Sequence, residues 1–258
     1  MKETILIQLN EIEKNHNVVI LYACESGSRA WGFPSADSDY DVRFIYLRPV
    51  KWHLSVEEKR DVIEVPINDQ LDINGWDLRK ALQLFRKSNP PLMEWLGSPI
   101  IYMDKHSIRS TLREMGKNYY SPLTCFHHYL GTARNHYREA TQGEGIKIKS
   151  YFYTLRALLA THWVEAGYGG VIPTEFEILL ERMVTSSAMK AEIQELLIFK
   201  KTGAEKDHKP YLPGISEYIE AELARLENTQ IPFENKIAPF ETLDSFFQNV
   251  LAEVWGNK

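Results

Sequence analysis

The sequence predicts an α+β amino-terminal half followed by an all-helical carboxyl-terminal half. Runs rich in β-branched and aromatic residues all lie before Lys105, whereas helical periodicity continues almost throughout the remaining chain. The length of 258 residues suits one large domain or two ordinary ones. We therefore expect one domain over residues 1–110 and a helical domain over residues 111–258.

In the first half, helices and strands follow one another closely. Ile5, Leu9 and Ile12 recur at helical spacing and predict an opening helix. Strands are predicted at Val18–Ala23, Asp39–Leu47, Asp61–Val65, Gln70–Trp76 and, at an edge, Pro99–Met103. The third and fourth strands are expected to form a hairpin around residues 66–69. Helices are predicted at Leu78–Lys87, with Asp77 as N-cap, and at Leu92–Leu96.

Composition excludes several classes of protein. The formal net charge is −5, and 44% apolar with 25% charged residues is typical of globular domains, which excludes disordered and fibrous chains. No apolar run approaches the ~18 residues of a membrane span. The acidic residues of the first segment do not fit a secretory signal, and two cysteines provide no disulfide framework. We expect a cytoplasmic protein that does not contact membranes.

Positive charge is concentrated in one stretch. Lys105–Arg156 contains nine Lys or Arg and three Glu, interleaved with tyrosines and histidines. Such a stretch is compatible with a polyanionic partner, but solvated helix faces explain a charge count equally well. A polyanionic partner is favoured only if a separate phosphate-binding feature is present in the sequence.

That feature is Gly27-Ser28 followed, after ten residues, by Asp39-Tyr40-Asp41. Carboxylates at i and i+2 on a strand point to the same face, and they repel each other unless a cation lies between them. Mg²⁺ (or Mn²⁺) prefers such oxygen ligands. A glycine before a helix lets backbone N–H groups approach an anion. Asp72, which alternates with Leu71 and Ile73, is the candidate third acid, although an exposed residue of a hairpin strand would show the same pattern. Asp77 is the second candidate, but a role as helix N-cap explains it without catalysis.

Together these motifs resemble the DNA polymerase β-like nucleotidyltransferase superfamily. The string Gly27–Asp41, the segments Asp77–Pro90 and Glu94–Leu96, and Tyr153-x-x-Arg156 resemble its RlaP type, which is associated with RNA repair. The resemblance spans Tyr22–Pro173. It implies a small mixed sheet flanked by helices.

The resemblance also implies roles for individual residues. Asp39, Asp41 and Asp72 would be catalytic and bind metal. Transfer of a nucleoside monophosphate from an NTP to a hydroxyl, with release of pyrophosphate, is the implied reaction. The nucleotide-binding residues would be Gly27, Ser28, Arg29, Lys149, Tyr153 and Arg156.

Helical spacing supports part of the nucleotide set. Lys149, Tyr153 and Arg156 recur on one helix stripe with Ala160 and Trp163, where cations and an aromatic ring suit a triphosphate and a base. An exposed basic helix with packed aromatic residues explains the same spacing.

The acceptor is left open by the sequence. An RNA 3′ end (tRNA-like or a repaired end), a protein hydroxyl and a small molecule are all compatible with the motifs. Two further hypotheses are a non-catalytic nucleotide- or RNA-binding relative and a helical interaction scaffold.

Overall fold

The computed structural model describes residues 1–65, 70–142, 145–168, 171–202, 212–233 and 238–256, and the backbone of residues 208–209. The chain forms two compact units. The first comprises Met1–Gly27, Asp39–Tyr120 and Lys236–Lys258, and the second comprises Ser28–Ser38 and Ser121–Asn235.

Helices and strands alternate in the first part of the described chain, and helices dominate the rest. In chain order they are α1 (Lys2–His16), β1 (Val19–Glu25), α2 (Gly27–Trp31), β2 (Tyr40–Leu47), α3 (Val50–His53), β3 (Val62–Glu64), β4 (Leu71–Asp77), α4 (Leu78–Arg86), α5 (Pro90–Gly97), β5 (Ile101–Asp104), α6 (Ile108–Tyr119), α7 (Pro122–Ala140), β6 (Ile146–Lys147), α8 (Ile148–Glu165), α9 (Phe176–Met183), α10 (Ser187–Thr202), β7 (His208–Lys209), α11 (Pro213–Glu227) and α12 (Glu241–Trp255). The predicted α+β half followed by helices is confirmed.

A five-stranded sheet forms the centre of the first unit. Its strand order is β3-β4-β2-β1-β5. The β2–β4 pair is parallel, and the β1–β2, β1–β5 and β3–β4 pairs are antiparallel, so the sheet is mixed as expected. β5 lies at an edge, as predicted. The β3–β4 pairing agrees with the predicted hairpin, although residues 66–69 lie outside the described residues.

Alternation along the strands separates a core face from a second face. Val42, Phe44 and Tyr46 of β2 pack in one cluster with Ile5 and Leu9 of α1. Residues two apart share a face of a strand, so Asp41 and Arg43 project from the opposite face. Helix α5 packs against β1 in the same unit, and the Tyr22 hydroxyl donates to the Trp95 carbonyl at 2.6 Å.

The division into units differs from the expected boundary at residue 110. That boundary falls inside α6, and α12 belongs to the first unit, where Phe247 packs against His53 at a ring distance of 5.1 Å. Residues 28–38 belong to the second unit because Phe33 packs against Phe152 and Phe176, each at 5.5 Å. Local sequence patterns do not show that a segment belongs to a unit formed by residues distant in the chain, since this depends on contacts between those segments.

Helix α8 is the most buried helix of the second unit. Phe152, Leu155 and Leu159 are fully buried, as its periodicity predicts. Cys125 of α7 is buried and carries a free thiol, as does Cys24 in the first unit. In the described part of the chain, no helix is both long and apolar enough to cross a membrane.

Candidate active site

Parallel pairing of β2 with β4 brings two aspartates side by side. Asp41 is the register partner of Asp72, near the start of both strands. Their side chains point to the same face and are 28% and 29% exposed. The sheet thus presents two carboxylates to solvent at one place.

Arg43 bridges these carboxylates. Its Nη2 donates to Asp41 Oδ1 at 3.1 Å and to Asp72 Oδ2 at 2.7 Å. Its Nη1 donates to the carbonyl oxygens of Val42 and Asp72, both at 3.1 Å. One guanidinium therefore neutralises part of the repulsion between the two acids. Arg43 was not among the predicted site residues, although it lies two residues after Asp41 and alternation places it on the same face.

Gly27 lies directly against Asp41. Its φ of +59° is in the left-handed region that favours glycine, and a Cβ there would collide with the Asp41 carboxylate. The neighbouring Ser26 N–H donates to the Asp41 carbonyl at 2.8 Å. The bend after β1 and the aspartate of β2 therefore lie side by side, which is the arrangement expected from the Gly-Ser and Asp-x-Asp motifs.

A buried glutamate fixes the start of β2. Glu25 is fully buried, and its Oε1 accepts a hydrogen bond from the Asp41 backbone N–H at 2.8 Å. Its Oε2 accepts from the Tyr102 hydroxyl, and its carbonyl accepts from Ser98 Oγ at 2.7 Å. Glu25 thus positions the backbone of Asp41. An acid that ends an otherwise apolar strand was the available signal in the sequence.

Asp39 is placed differently from the other two aspartates. It is exposed and precedes β2. The first residue of β2 is Tyr40, whose N–H donates to the Gln70 carbonyl at 2.9 Å. Within the described residues, no group of three or more His, Cys, Asp or Glu side chains is arranged to hold a metal ion. The structure therefore brings two of the three predicted carboxylates together.

Asp77 has the structural role that the sequence favours for it. Its Oδ1 caps α4 by accepting from the Arg79 N–H at 2.9 Å. Burial raises the pKa of Asp77 to about 6, and burial also lowers the pKa of nearby His53 to about 4. The His53 Nε2 and Asp77 Oδ2 atoms are 4.0 Å apart. Desolvation thus disfavours the charged form of both groups.

The remaining predicted nucleotide-binding residues belong to the second unit. Ser28 is buried, and its carbonyl accepts from the Phe33 N–H at 3.0 Å. Arg29 donates from Nη2 to the Ser38 carbonyl at 2.6 Å, which closes the loop between α2 and β2. The structure therefore gives both residues a local role in shaping residues 28–38.

The stripe on α8 is only partly exposed. Arg156 is 3% exposed, its guanidinium lies 4.3 Å from the Trp31 ring, and its Nε donates to the Thr174 carbonyl at 3.2 Å. Arg156 is therefore buried against Trp31, and the alternative of a fully exposed basic stripe does not hold at this residue. Lys149 and Tyr153 are half-buried, with the ammonium 6.0 Å from the ring. Trp31 also contacts Tyr153 edge-on at 4.9 Å, so this tryptophan packs within the second unit.

The donor set around Asp41 fits a divalent cation. Carboxylate oxygens on neighbouring strands are the hard ligands that Mg²⁺ and Mn²⁺ prefer, and a cationic group already bridges them. The close approach of Gly27 leaves no room for a side chain beside Asp41. Asp41 and Asp72 are therefore the residues that would hold such an ion.

Comparisons with known proteins extend over nearly the whole chain. Residues 1–249 match the RNA repair pathway DNA polymerase beta family, RlaP. The chain is 44% identical over 257 residues to "Uncharacterized protein YcgL" of Bacillus subtilis (strain 168), with 99% of this chain and 98% of that protein covered. The crystal structure of a nucleotidyltransferase-like protein from Exiguobacterium sibiricum 255-15 aligns at 13% identity and a TM-score of 0.29, covering 84% of this chain and 71% of that one.

Proposed function

The chain belongs to the RNA repair pathway DNA polymerase beta family, and from this premise we propose that it is a metal-dependent nucleotidyltransferase acting on RNA. The reaction is attack of a hydroxyl on the α-phosphate of an NTP, with transfer of the nucleoside monophosphate and release of pyrophosphate. The observation that carries the proposal is the Asp41–Asp72 pair, bridged by a cation and packed against Gly27.

Three aspartates supply the metal ligands in this proposal. Asp41 and Asp72 would hold the ion from adjacent strands. Asp39, two residues before Asp41, would join them through a change in its side-chain position, since the structure does not group the three acids. Mg²⁺ or Mn²⁺, when bound, stabilises charge on the entering and leaving oxygens. Glu25 fixes the Asp41 backbone through the 2.8 Å hydrogen bond, so the carboxylate needs little reorganisation.

Phosphate and base contacts are assigned to small and basic residues. Gly27 and Ser28, which are consecutive in the chain, contact the β- and γ-phosphates, and Arg29 adds positive charge nearby in the sequence. In the second unit, Lys149 and Tyr153 bind a phosphate and an aromatic base. Arg156 supports these residues from the interior through Trp31.

An RNA end is the proposed acceptor because of the family and of the basic stretch Lys105–Arg156. We propose a cytoplasmic location, since both cysteines are buried thiols that need no oxidising compartment.

The proposal is tested by incubating the protein with each labelled NTP, Mg²⁺ and a tRNA pool. Label is expected on RNA. Asp72→Asn is expected to lower the rate at least about 100-fold, because removing a metal ligand should cost more than removing a residue that only supports a ligand, which typically costs 10–100-fold in metal affinity or activity. Asp104→Asn, on the edge strand of the same sheet, is the matched control. Label found on protein alone would refute the RNA acceptor, and equal rates for Asp72→Asn and Asp104→Asn would refute the metal site.

A further inference from the structure

Arg43 occupies a position for which the proposed reaction supplies no role. It is held by four acceptors: two carboxylate oxygens of Asp41 and Asp72 and two backbone carbonyls. Its side chain is 18% exposed, less than either aspartate. A cation so fully bonded is a fixed component of the site rather than a solvated surface residue.

One nitrogen of this guanidinium lies between the two carboxylates. Nη2 alone contacts both carboxylates, at 3.1 Å and 2.7 Å. Carboxylate oxygens bind Mg²⁺ at about 2.0–2.1 Å and in near-octahedral geometry. The same two oxygens cannot adopt that geometry around an ion while the nitrogen lies between them.

We propose that Arg43 is the built-in counterion of the metal site, and that a divalent cation bridges Asp41 Oδ1 and Asp72 Oδ2 only by displacing its guanidinium. This inference rests on the proposed function, since it concerns the same carboxylates. It assigns Arg43 a positioning role: the arginine keeps the two acids together before the ion arrives and weakens binding of the ion alone.

Two physical consequences follow for the metal-free protein. Without Arg43, the two carboxylates would lose the cation that bridges them, and their repulsion would destabilise the fold. Binding of an ion then no longer requires loss of the charge-assisted hydrogen bonds, so affinity for the ion rises. Metal affinity and metal-free stability should therefore change in opposite directions.

The test measures Mn²⁺ binding to the full chain without nucleotide, by electron paramagnetic resonance and calorimetry. Arg43→Met removes the charge and keeps the length of the side chain, and we expect its Kd for Mn²⁺ to fall at least about tenfold. Arg43→Lys keeps the charge but lacks the planar fork, and should give a smaller decrease. Arg60→Met, which removes an exposed arginine paired with Glu64 on β3, should leave the Kd unchanged.

Thermal unfolding provides the second readout. Arg43→Met should unfold at a lower temperature than the parent in EDTA, and the difference should shrink in saturating Mn²⁺. A loss of stability that is equal in EDTA and in Mn²⁺ would indicate a merely structural role and would overturn the proposal.

The outcomes separate this inference from the proposed function. One outcome would refute the counterion role and leave the metal site standing. In that outcome the parent binds Mn²⁺ and Asp72→Asn abolishes the binding, but Arg43→Met leaves the Kd unchanged or raises it. The salt dependence gives a second way to refute the counterion role. In about 0.5 M KCl the Debye length is only about 4 Å, so a gain in Mn²⁺ affinity that disappears there would come from long-range repulsion between Arg43 and the ion rather than from displacement of the guanidinium. If neither the parent nor Arg43→Met binds Mn²⁺, both this inference and the metal-dependent function fail.

Discussion

Substitution of Gly27 by alanine tests whether the bend after β1 closes against the carboxylate of Asp41. The new Cβ would occupy a residue at φ +59° and would collide with Asp41. The backbone contribution is about 1–2 kcal/mol for a left-handed residue. Displacing the carboxylate would also break its bond to Arg43, and a charge-assisted hydrogen bond that is partly exposed and therefore partly screened contributes about 1–2 kcal/mol.

The expected loss is therefore about 2–4 kcal/mol in the free energy of unfolding. Gly32 provides a matched control, because it has a φ of +88° and a Cβ there would contact nothing within 4 Å. Gly32→Ala should cost only the backbone contribution. The difference between the variants, about 1–2 kcal/mol, corresponds to roughly 2–8 °C in melting temperature for a chain of this size.

Thermal denaturation followed by circular dichroism measures both variants. A double-mutant cycle adds the second check: in an Asp41→Ala background, Gly27→Ala should cost no more than Gly32→Ala. Equal losses for Gly27→Ala and Gly32→Ala in the parent chain would show that the carboxylate moves aside freely. The reasoning that joins the bend to the metal site would then be refuted.

Three further outcomes are expected. Burial raises the pKa of Asp77 to about 6, so the contribution of this acid to the free energy of unfolding falls as pH rises from about 4 to 6. Burial lowers the pKa of His53 to about 4, so the contribution of this histidine rises as pH rises from about 4 to 6.5. The two trends oppose each other. Asp77→Asn retains a side chain that can cap the helix but removes the acid, so only the trend of His53 should remain. Urea unfolding at pH 4 to 7 should then show that the free energy of unfolding rises with pH. Arg156→Met should lower the melting temperature, because a buried guanidinium loses its contacts with Trp31 and the Thr174 carbonyl. Lys149→Met should leave the melting temperature unchanged and weaken NTP binding in equilibrium titrations.

Local patterns were sufficient to predict the elements that hold the site. The alternation in β2 placed Val42 in the core and Asp41 on the other face, as the structure has them. The N-cap role of Asp77 and the edge position of β5 also followed from local signals. The family predicted from the Gly-Ser and Asp-x-Asp motifs is confirmed over residues 1–249.

Contacts between distant segments could not be predicted from local patterns. The parallel pairing of β2 with β4, which sets Asp41 opposite Asp72, depends on the whole sheet rather than on either strand. Helical spacing placed Arg156 on a stripe with Lys149 and Tyr153, but it could not show that Arg156 is buried against Trp31. Pairing and coverage are decided by tertiary packing, which a single sequence expresses only weakly.

Arg43 and Glu25 explain why the two acids stand together before any ion is bound. Two carboxylates on adjacent strands repel, and a sheet tolerates them only where other groups compensate. Arg43 supplies the charge, whereas Glu25 fixes the Asp41 backbone from the buried side. The geometry of Asp41 and Asp72 is thus maintained by the protein itself. An ion that displaces the guanidinium would therefore find Asp41 and Asp72 already in place, and its binding would not require the two strands to rearrange.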